Sequence, residues 1–420
     1  MECKVDWIPL GDLVHFESGG TPSKKSQTYW NGNIPWISAK TLIGDSVDTS
    51  NLCITSEGLK AGSRLAREGS LLLLTRGSGL FKHIPLAMTA KDVAYNQDIK
   101  CLTSKRANIS NRYIFFALRS LEPNIVAMLE TTGIGAGKLS TDRLKTLQVP
   151  VLDSESRLKV ERFFEAVFQK IALNTKLNGY LEELLLARFK ALIPSDNWSE
   201  GRADSFFEIG IGKTPPRKET EWFANSRSGN YVWLSIKDMG TPGAYSLDSA
   251  EYLTHAAVKQ KNIRQVPEGS VLLSFKLTVG RVKIAACDMT TNEAIAYFNS
   301  NDKKQLAYIY PYLLTYDYNK LGSTSSIATA VNSKTIKTMP IAMPDNNELS
   351  SFYTATKPLY EQMLNIAKEN IALASLRDAL LPKLMSGEID VSKIDAAGLN
   401  SHLVALFSWH FRRSISRFTS

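Results

Sequence analysis

Cysteine and histidine are scarce in this chain. Its 420 residues hold four cysteines, at 3, 53, 101 and 287, and five histidines. No CxxC pair, regular Cys spacing or HExxH occurs, which argues against a disulfide framework, structural zinc and a zinc hydrolase. No apolar run approaches the ~20 residues of a membrane span. The opening Met1-Glu2-Cys3-Lys4 has no signal-peptide hydrophobic segment. Hydrophobic residues at 44% and charged residues at 22% are ordinary globular proportions, which argues against disorder or a fibrous repeat. At ~100–200 residues per domain, two to four domains are expected. The expectation is a soluble, cytoplasmic, multidomain protein with no membrane partner.

What the chain does have is positive charge, unevenly placed. Lys and Arg number 50 against 41 Asp and Glu, a net +9. Residues 1–150 hold 18 basic and 13 acidic side chains, net +5, and residues 200–340 hold 17 and 13, net +4. Between and after them, 153–191 has 7 against 6, and 345–388 has 4 against 6. Two basic blocks therefore alternate with two near-neutral segments. Nucleic acid is the natural partner of such a pattern, because phosphate neutralisation drives binding. A general solubility role for the charge is the plainer alternative.

Self-similarity decides more than charge. GGTPSKKSQTYWNGNIPWISAKTL at 19–42 is answered by GKTPPRKETEWFANSRSGNYVWLSIKDM at 212–239. Thr21-Pro22 matches Thr214-Pro215, and Trp36-x-Ser38-x-Lys40 matches Trp233-x-Ser235-x-Lys237. The segment 68–87 answers 268–285, YNQDI at 95–99 answers TNEAI at 291–295, and 138–151 answers 330–344. Matches in one order at an offset of nearly half the chain indicate a duplicated domain, not a solenoid.

Each unit ends in a long helical pattern. From Ser156 to Leu192 there is no Pro, and Val160, Phe164, Val167, Ile171, Asn174, Leu177, Leu181 and Leu184 recur at steps of three and four. Phe352, Thr356, Leu359, Met363, Ile366, Asn370, Leu373, Leu380 and Leu384 do likewise, with Pro382 expected to kink or end that helix early. Asp153 or Ser154 is the candidate N-cap of the first, and Asp345 of the second. Leu-rich helices with one Asn in the seam suggest coiled-coil pairing, in which the Asn sets register. The basic blocks read as mixed α/β domains. Ser70–Leu74 and Ser270–Ser274 read as buried strands after Glu-Gly turns, and 113–121 and 308–316 as short helices.

Catalytic motifs are imitated but not met. Gly212-Lys213-Thr214 ends like a phosphate-binding loop, but its first Gly falls at Phe207, and Pro215 breaks the required helix. Gly133-x-Gly135-x-Gly137 lacks the spacing of a dinucleotide fingerprint. Phe207-x-x-Gly210-x-Gly212 vaguely resembles a methyltransferase loop, yet no Asn-Pro-Pro-Tyr or Asp-Pro-Pro-Tyr exists to grip a flipped adenine. No Gly-x-Ser-x-Gly elbow occurs. A binder is favoured over an enzyme.

Trp7-Ile8-Pro9-Leu10-Gly11-Asp12, the GGTPS to IPWIS stretch at 19–38, and LRDALLPKLMSGEID at 376–390 together resemble the specificity subunit of type I restriction–modification systems. The resemblance spans about residues 7–390. It implies an α+β architecture: two duplicated mixed α/β target-recognition domains joined by two long antiparallel paired helices, with pseudo-two-fold symmetry. The expected divisions are a first target-recognition domain at 1–152, a central helical spacer at 153–193, a second target-recognition domain at 194–344, and a second helical spacer at 345–390. Residues 391–420 have no counterpart and stay unassigned. The resemblance also implies a non-catalytic DNA-binding subunit that directs adenine methylation and restriction at a bipartite site. Its partners would be double-stranded DNA, methyltransferase subunits (two per chain) and motor-endonuclease subunits. No cofactor is expected in this chain itself; S-adenosylmethionine, ATP and Mg2+ would serve the partners. A helix of ~36 residues is ~54 Å long, or roughly 16 base pairs at ~3.4 Å each, enough to hold two readers on one face of a duplex. The alternatives are a stand-alone sequence-specific DNA-binding protein and an enzyme with a concealed site.

Candidate DNA-binding residues follow from the matched segments. Thr21 and Thr214 head the Thr-Pro turns, and Lys24, Lys25, Arg217 and Lys218 follow them. Ser38, Lys40 and Lys237 lie in or just after the Trp-x-Ser strands. Arg76 and Lys276 follow the apolar strands, and Lys138 and Lys334 introduce the last strand of each unit. A solvated surface position is the plain alternative for each. Trp36 and Trp233 read as core residues, not base-stacking ones.

Overall fold

The computed structural model describes residues 5–81, 83–131, 133, 135–192, 194, 196–321 and 331–391. Two compact units divide it: the residues up to Gln169 with those from Ala374 onward, and Lys170–Leu373. Strand formation follows hydrophobicity in both. In the first, Leu71–Leu74 is buried throughout and sits at the centre of a five-stranded sheet. Its order is Val14–Ser18, Ile99–Ser104, Leu71–Leu74, Leu86–Thr89 and Ser46–Val47, antiparallel except for the last pair. A continuous apolar run suits a strand covered on both faces.

The second unit repeats that order with Glu208–Ile211, Ile295–Asn299, Val271–Ser274, Val282–Ala285 and Tyr245–Ser246, again with only the last pair parallel. The Glu-Gly turns before the central strands place Gly69 at φ 78° and Gly269 at φ 87°, a backbone region that glycine reaches without strain. A smaller sheet in each unit holds the Trp-bearing strand: Trp30–Ile37 runs parallel to Val93–Tyr95, and Tyr231–Leu234 runs parallel to Thr290–Thr291. A two-stranded ribbon completes each unit, Val5–Pro9 with Gln148–Leu152, and Ser199–Arg202 with Pro340–Met343. The duplication inferred from sequence is therefore a duplication of topology.

Two long helices, Ser154–Lys190 and Asn346–Met385, follow the last strand of each unit. Asp153 resolves the first N-cap: its Oδ1 accepts from the Glu155 and Ser156 amides at 3.0 Å. Asp345 caps the second, accepting from Asn347 and Glu348 at 2.8 and 2.9 Å. The division between units falls inside both helices. In the first unit Phe164 and Phe168 pack on Phe116 of the helix Asn111–Ser120, and the Arg377 guanidinium lies 5.2 Å from the Phe168 ring centre. In the second, Phe189 packs on Tyr308 of the helix Lys303–Thr315 and on Phe352. There Asn174 Nδ2 donates to Glu369 Oε2 at 2.7 Å and Asn370 Oδ1 at 2.9 Å, and Asn178 Nδ2 donates to the Met363 carbonyl at 3.4 Å. Rising numbers on one helix meet falling numbers on the other, so the pairing is antiparallel.

Three expectations need correction. Leu177 and Leu184 are not in the seam; they are 43% and 45% exposed, while Asn178 and Leu185 are buried. Continuing the 4-3 alternation from Asn174 leads to Asn178, and hydrophobicity alone favours its neighbour Leu177. Pro382 does not stop the second helix early; the helix runs to Met385, and a turn with Gly387 at φ 77° follows. Pro358 is carried inside the same helix. Third, neither Lys138 nor Lys334 introduces the last strand of its unit: Lys138 lies in the two-residue strand Gly137–Lys138, ahead of the helix Thr141–Thr146, and Lys334 lies in the short helix Ser333–Lys337. Val391 is buried, and the rest of the unassigned tail, 392–420, lies outside the described residues. Among the described residues no helix is long and apolar enough to cross a membrane.

Divergence between the units reaches the core. Ala87 pairs with Leu72 in the first, and Lys283 pairs with Leu272 at the equivalent place in the second. Lys283 is 3% exposed and donates to the carbonyls of Thr241 and Gly243. Burial pushes its ammonium pKa down to about 8, with Glu182 offsetting part of the shift. Between that value and the ordinary 10.5, the unfolded chain binds the proton that the folded chain has released. Stability from this group therefore rises with pH across that interval. Urea unfolding of wild type and Lys283→Met should show the wild type gaining on the variant by ~2–3 kcal/mol from pH 8 to 10.5, with no relative change below pH 7.

Candidate nucleic-acid interface

Each unit builds one corner from three segments that sequence comparison had matched separately. In the first, Gly19 and Gly20 press against the turn after Val93–Tyr95, and the Gly20 amide donates to the Tyr95 carbonyl at 2.9 Å. A Cβ on Gly19 would stand 2.3 Å from the Tyr95 oxygen and 2.4 Å from that of Asn96. The Trp36 indole N–H donates to the Gly20 carbonyl at 3.0 Å, and Thr21 Oγ1 donates to Gln97 Oε1 at 2.5 Å. The second unit repeats every contact. The Lys213 amide donates to the Thr291 carbonyl at 2.8 Å. A Cβ on Gly212 would stand 2.2 and 2.3 Å from the Thr291 and Asn292 oxygens. Trp233 donates to the Lys213 carbonyl at 3.3 Å, and Thr214 bonds to Glu293. Trp36 and Trp233 are core residues, 5% and 1% exposed. Their role is to pin the Thr-Pro loop to the sheet end.

From this clamp the candidate cations project unevenly. Lys24 and Lys25 are exposed, in a loop braced by the Trp30 indole, which donates to the Ser23 carbonyl at 3.1 Å. Lys218 is exposed at the matching loop, and Lys40, Lys237, Lys276 and Arg76 are exposed as well. Among the described residues none of these seven makes an ion pair. Arg217 is different. Its guanidinium bonds Glu251 through both nitrogens at 2.7 and 3.1 Å, and lies 4.7 and 4.6 Å from the Phe223 and Trp233 ring centres. Such a cation braces its own domain. Next to Lys218, Lys261 and the Trp222 indole hold the Glu219 carboxyl below its usual range.

Arg76 and Lys138 are brought together as directly opposed residues of a short ladder, with Glu130 across from Lys138 on its other side. Leu139 donates its amide to the Thr75 carbonyl, and Thr75 bonds the Asp98 carbonyl, so this ladder adjoins the same turn that receives Thr21. Lys334 is exposed but does not correspond to Lys138. The helices Thr141–Thr146 and Ser333–Lys337 follow N-cap residues Ser140 and Asn332, which aligns Lys334 with Asp142. Ser38 is tied locally: its amide donates to Thr41 Oγ1 at 2.9 Å, as Ser235 donates to Asp238 Oδ2 at 2.8 Å. These hydroxyl positions shape the turns that carry Lys40 and Lys237.

A family model described as the type I restriction modification DNA specificity domain matches the chain twice, at residues 4–183 and 195–368. The chain belongs to this family. Over 423 aligned residues it is 23% identical to the type I restriction enzyme MjaIX specificity subunit of Methanocaldococcus jannaschii, covering 93% of this chain and 95% of that relative. It is 29% identical over 199 residues to the EcoR124I/EcoR124II specificity subunit of Escherichia coli, covering 44% and 49%. The S subunit of a type I system from M. genitalium aligns with 91% of this chain and 96% of its own, at 13% identity and a TM-score of 0.47. Specificity subunits are the non-catalytic DNA-recognition component of their complexes. Among the described residues no group of three His, Cys, Asp or Glu side chains is placed to hold a metal ion.

The clamp gives each loop a rigid mount, and the exposed Lys and Arg side chains leave positive charge open to solvent around it. Sequence reasoning missed Gln97, Glu293 and Trp30. The first two lie in the matched YNQDI and TNEAI segments, where a repeat was noted but no contact to the Thr-Pro turn was deduced.

Steric closeness at the clamp makes a sharp test. Gly19→Ala and Gly212→Ala should each lower the unfolding free energy by ~1–3 kcal/mol, because a backbone carbonyl cannot yield to the added methyl. Gly179→Ala, mid-helix with nothing within 4 Å of its would-be Cβ, should instead raise it by ~0.5–1 kcal/mol. Urea titrations of the three variants check both signs.

Proposed function

We propose that this chain is the target-reading subunit of a type I restriction–modification complex, in which each unit reads one half of a split DNA site. The carrying observation is the doubled corner: one clamp, one strand order and a set of exposed cations, present twice in one chain. A reader of two half-sites needs two equivalent binding platforms. Methylation of adenine from S-adenosylmethionine, and restriction driven by ATP and Mg2+, belong in this reading to separate methyltransferase and motor-endonuclease subunits, with two methyltransferase subunits per chain. The complex acts in the cytoplasm of a bacterium or archaeon, where its DNA lies.

A second feature favours a subunit over a stand-alone DNA-binding protein. Leu173, Leu177, Tyr180 and Leu184 are exposed at steps of four, three and four along the first long helix. That spacing gathers them into one apolar stripe suited to a partner helix. We assign the stripe to the methyltransferase subunit.

Methylome sequencing of the host with and without this gene tests the main reading. The expected result is one split adenine-methylated motif that disappears with the gene; an unchanged methylome overturns it. Replacing residues 1–152 by the equivalent segment of a relative should change one half of that motif only. For the stripe, Leu173→Glu combined with Leu177→Glu should abolish co-purification of the methyltransferase subunit. Because both side chains are already exposed, the melting temperature of the chain alone should shift by less than ~2 °C. Retained co-purification would place the partner elsewhere.

A further inference from the structure

The loop after Val271–Ser274 carries a leucine in a conformation that local energetics disfavour. Leu277 sits at φ 62° and is 97% exposed. The Thr278 amide donates to the Lys276 carbonyl at 2.7 Å, which closes a γ-turn centred on Leu277. A bulky residue at positive φ is strained, and such strain persists only where the surroundings enforce it. A lone exposed leucine is ordinary on a protein surface. One held in strain, with no packing in return, is not.

The surroundings do enforce it. Ser274 is fully buried, and its Oγ donates to the Thr278 carbonyl at 2.5 Å while accepting from the Arg281 amide at 3.1 Å. Its backbone ties the entry of the loop to the exit: the Ser274 amide donates to the Arg281 carbonyl, and its carbonyl accepts from the Gly280 amide, each at 2.9 Å. Phe275 is 1% exposed and anchors the entry. At the exit Gly280 adopts φ 92°, with the Tyr318 ring 3.1 Å from where a Cβ would lie. The tip is therefore held out rigidly, with exposed Lys276 beside it.

Its place in the fold is the interface corner. The Phe275 amide donates to the Ala294 carbonyl at 2.9 Å, next to Glu293, which bonds Thr214. In the first unit Thr75 makes the same bond to Asp98, Arg76 stands where Lys276 does, and Gly77 stands where Leu277 does. The cation occurs in both units and the apolar tip in one.

We propose that Leu277 is an apolar wedge that the second unit inserts between adjacent base pairs of its half-site, with Lys276 holding a neighbouring phosphate. An apolar side chain that separates a base step needs a rigid mount and flanking positive charge, and this loop has both. The inference rests on the DNA-reading function proposed above and adds a deformation of the target to it.

The test uses the full chain assembled with its methyltransferase subunits, and duplexes of the motif found by methylome sequencing with 2-aminopurine at successive steps. The wild type should raise fluorescence severalfold at one step of the half-site assigned to the second unit. Leu277→Gly should abolish that rise and weaken binding roughly tenfold. It should also raise the melting temperature, since glycine relieves the strained φ, so misfolding cannot explain the loss. Leu277→Met should keep the rise. Lys276→Gln should keep it as well while lowering the salt dependence of affinity by about one ion. A Leu277→Gly complex with wild-type fluorescence and affinity overturns the wedge and leaves the DNA-reading function standing. Failure of the wild type to bind the motif overturns both.

Discussion

The mounting of the Thr-Pro loop in each unit depends on a backbone approach that admits no side chain. Gly19 and Gly212 lie against turn carbonyls so closely that even a methyl group has no room. The neighbouring amide and carbonyl are then fixed by a strand-end carbonyl and a tryptophan indole. A loop pinned on both polar groups of one peptide segment loses the freedom that surface loops normally keep. Lys24, Lys25 and Lys218 thereby emerge from anchored positions, and an anchored cation loses less entropy when it meets a phosphate than one on a mobile loop.

The helices follow a different logic. The seam that joins them in the second unit includes Asn174 and Asn178 where leucines would stabilise more, and the Asn178 Oδ1 is buried without a partner. Buried amides in a helical seam reduce stability and gain register, because a slipped pairing leaves them all unsatisfied. The aromatic clusters around Phe164 and Phe189 pack each long helix on the short helix of its own unit, Asn111–Ser120 or Lys303–Thr315. One face of the first helix is left apolar and open, which is tolerable in a complex and hazardous in a free monomer.

Legibility from sequence tracked how local each determinant was. The duplication, the central strands, the short helices, both aspartate caps and the buried tryptophans were readable because apolar runs, capping residues and repeated motifs lie within a few residues of one another. The seam was lost at Leu177 because leucine and asparagine are adjacent there, and only the packed partner decides which faces inward. Arg217 matched the phosphate candidates by position, and only the fold shows that Glu251, 34 residues away, bonds two of its nitrogens. Lys334 was paired with Lys138 by position along the repeat, whereas capping residues set the true alignment. Leu277 gave no signal at all, since its strain comes from hydrogen bonds closing around Ser274.

Comparing the units separates what the fold requires from what it permits. Glycine, threonine and tryptophan occupy the same clamp positions in both, and the contacts they make are the same to within a few tenths of an ångström. The tips differ: two lysines against an arginine and a lysine, Gly77 against Leu277, Ala87 against Lys283 beneath. A duplicated scaffold whose supports agree while its tips diverge can present two different surfaces without refolding either. Under the proposed function, two dissimilar half-sites would demand that property from one chain. Under that function, with the supports shared, discrimination between bases would fall to the diverged loop residues and to any deformation they impose.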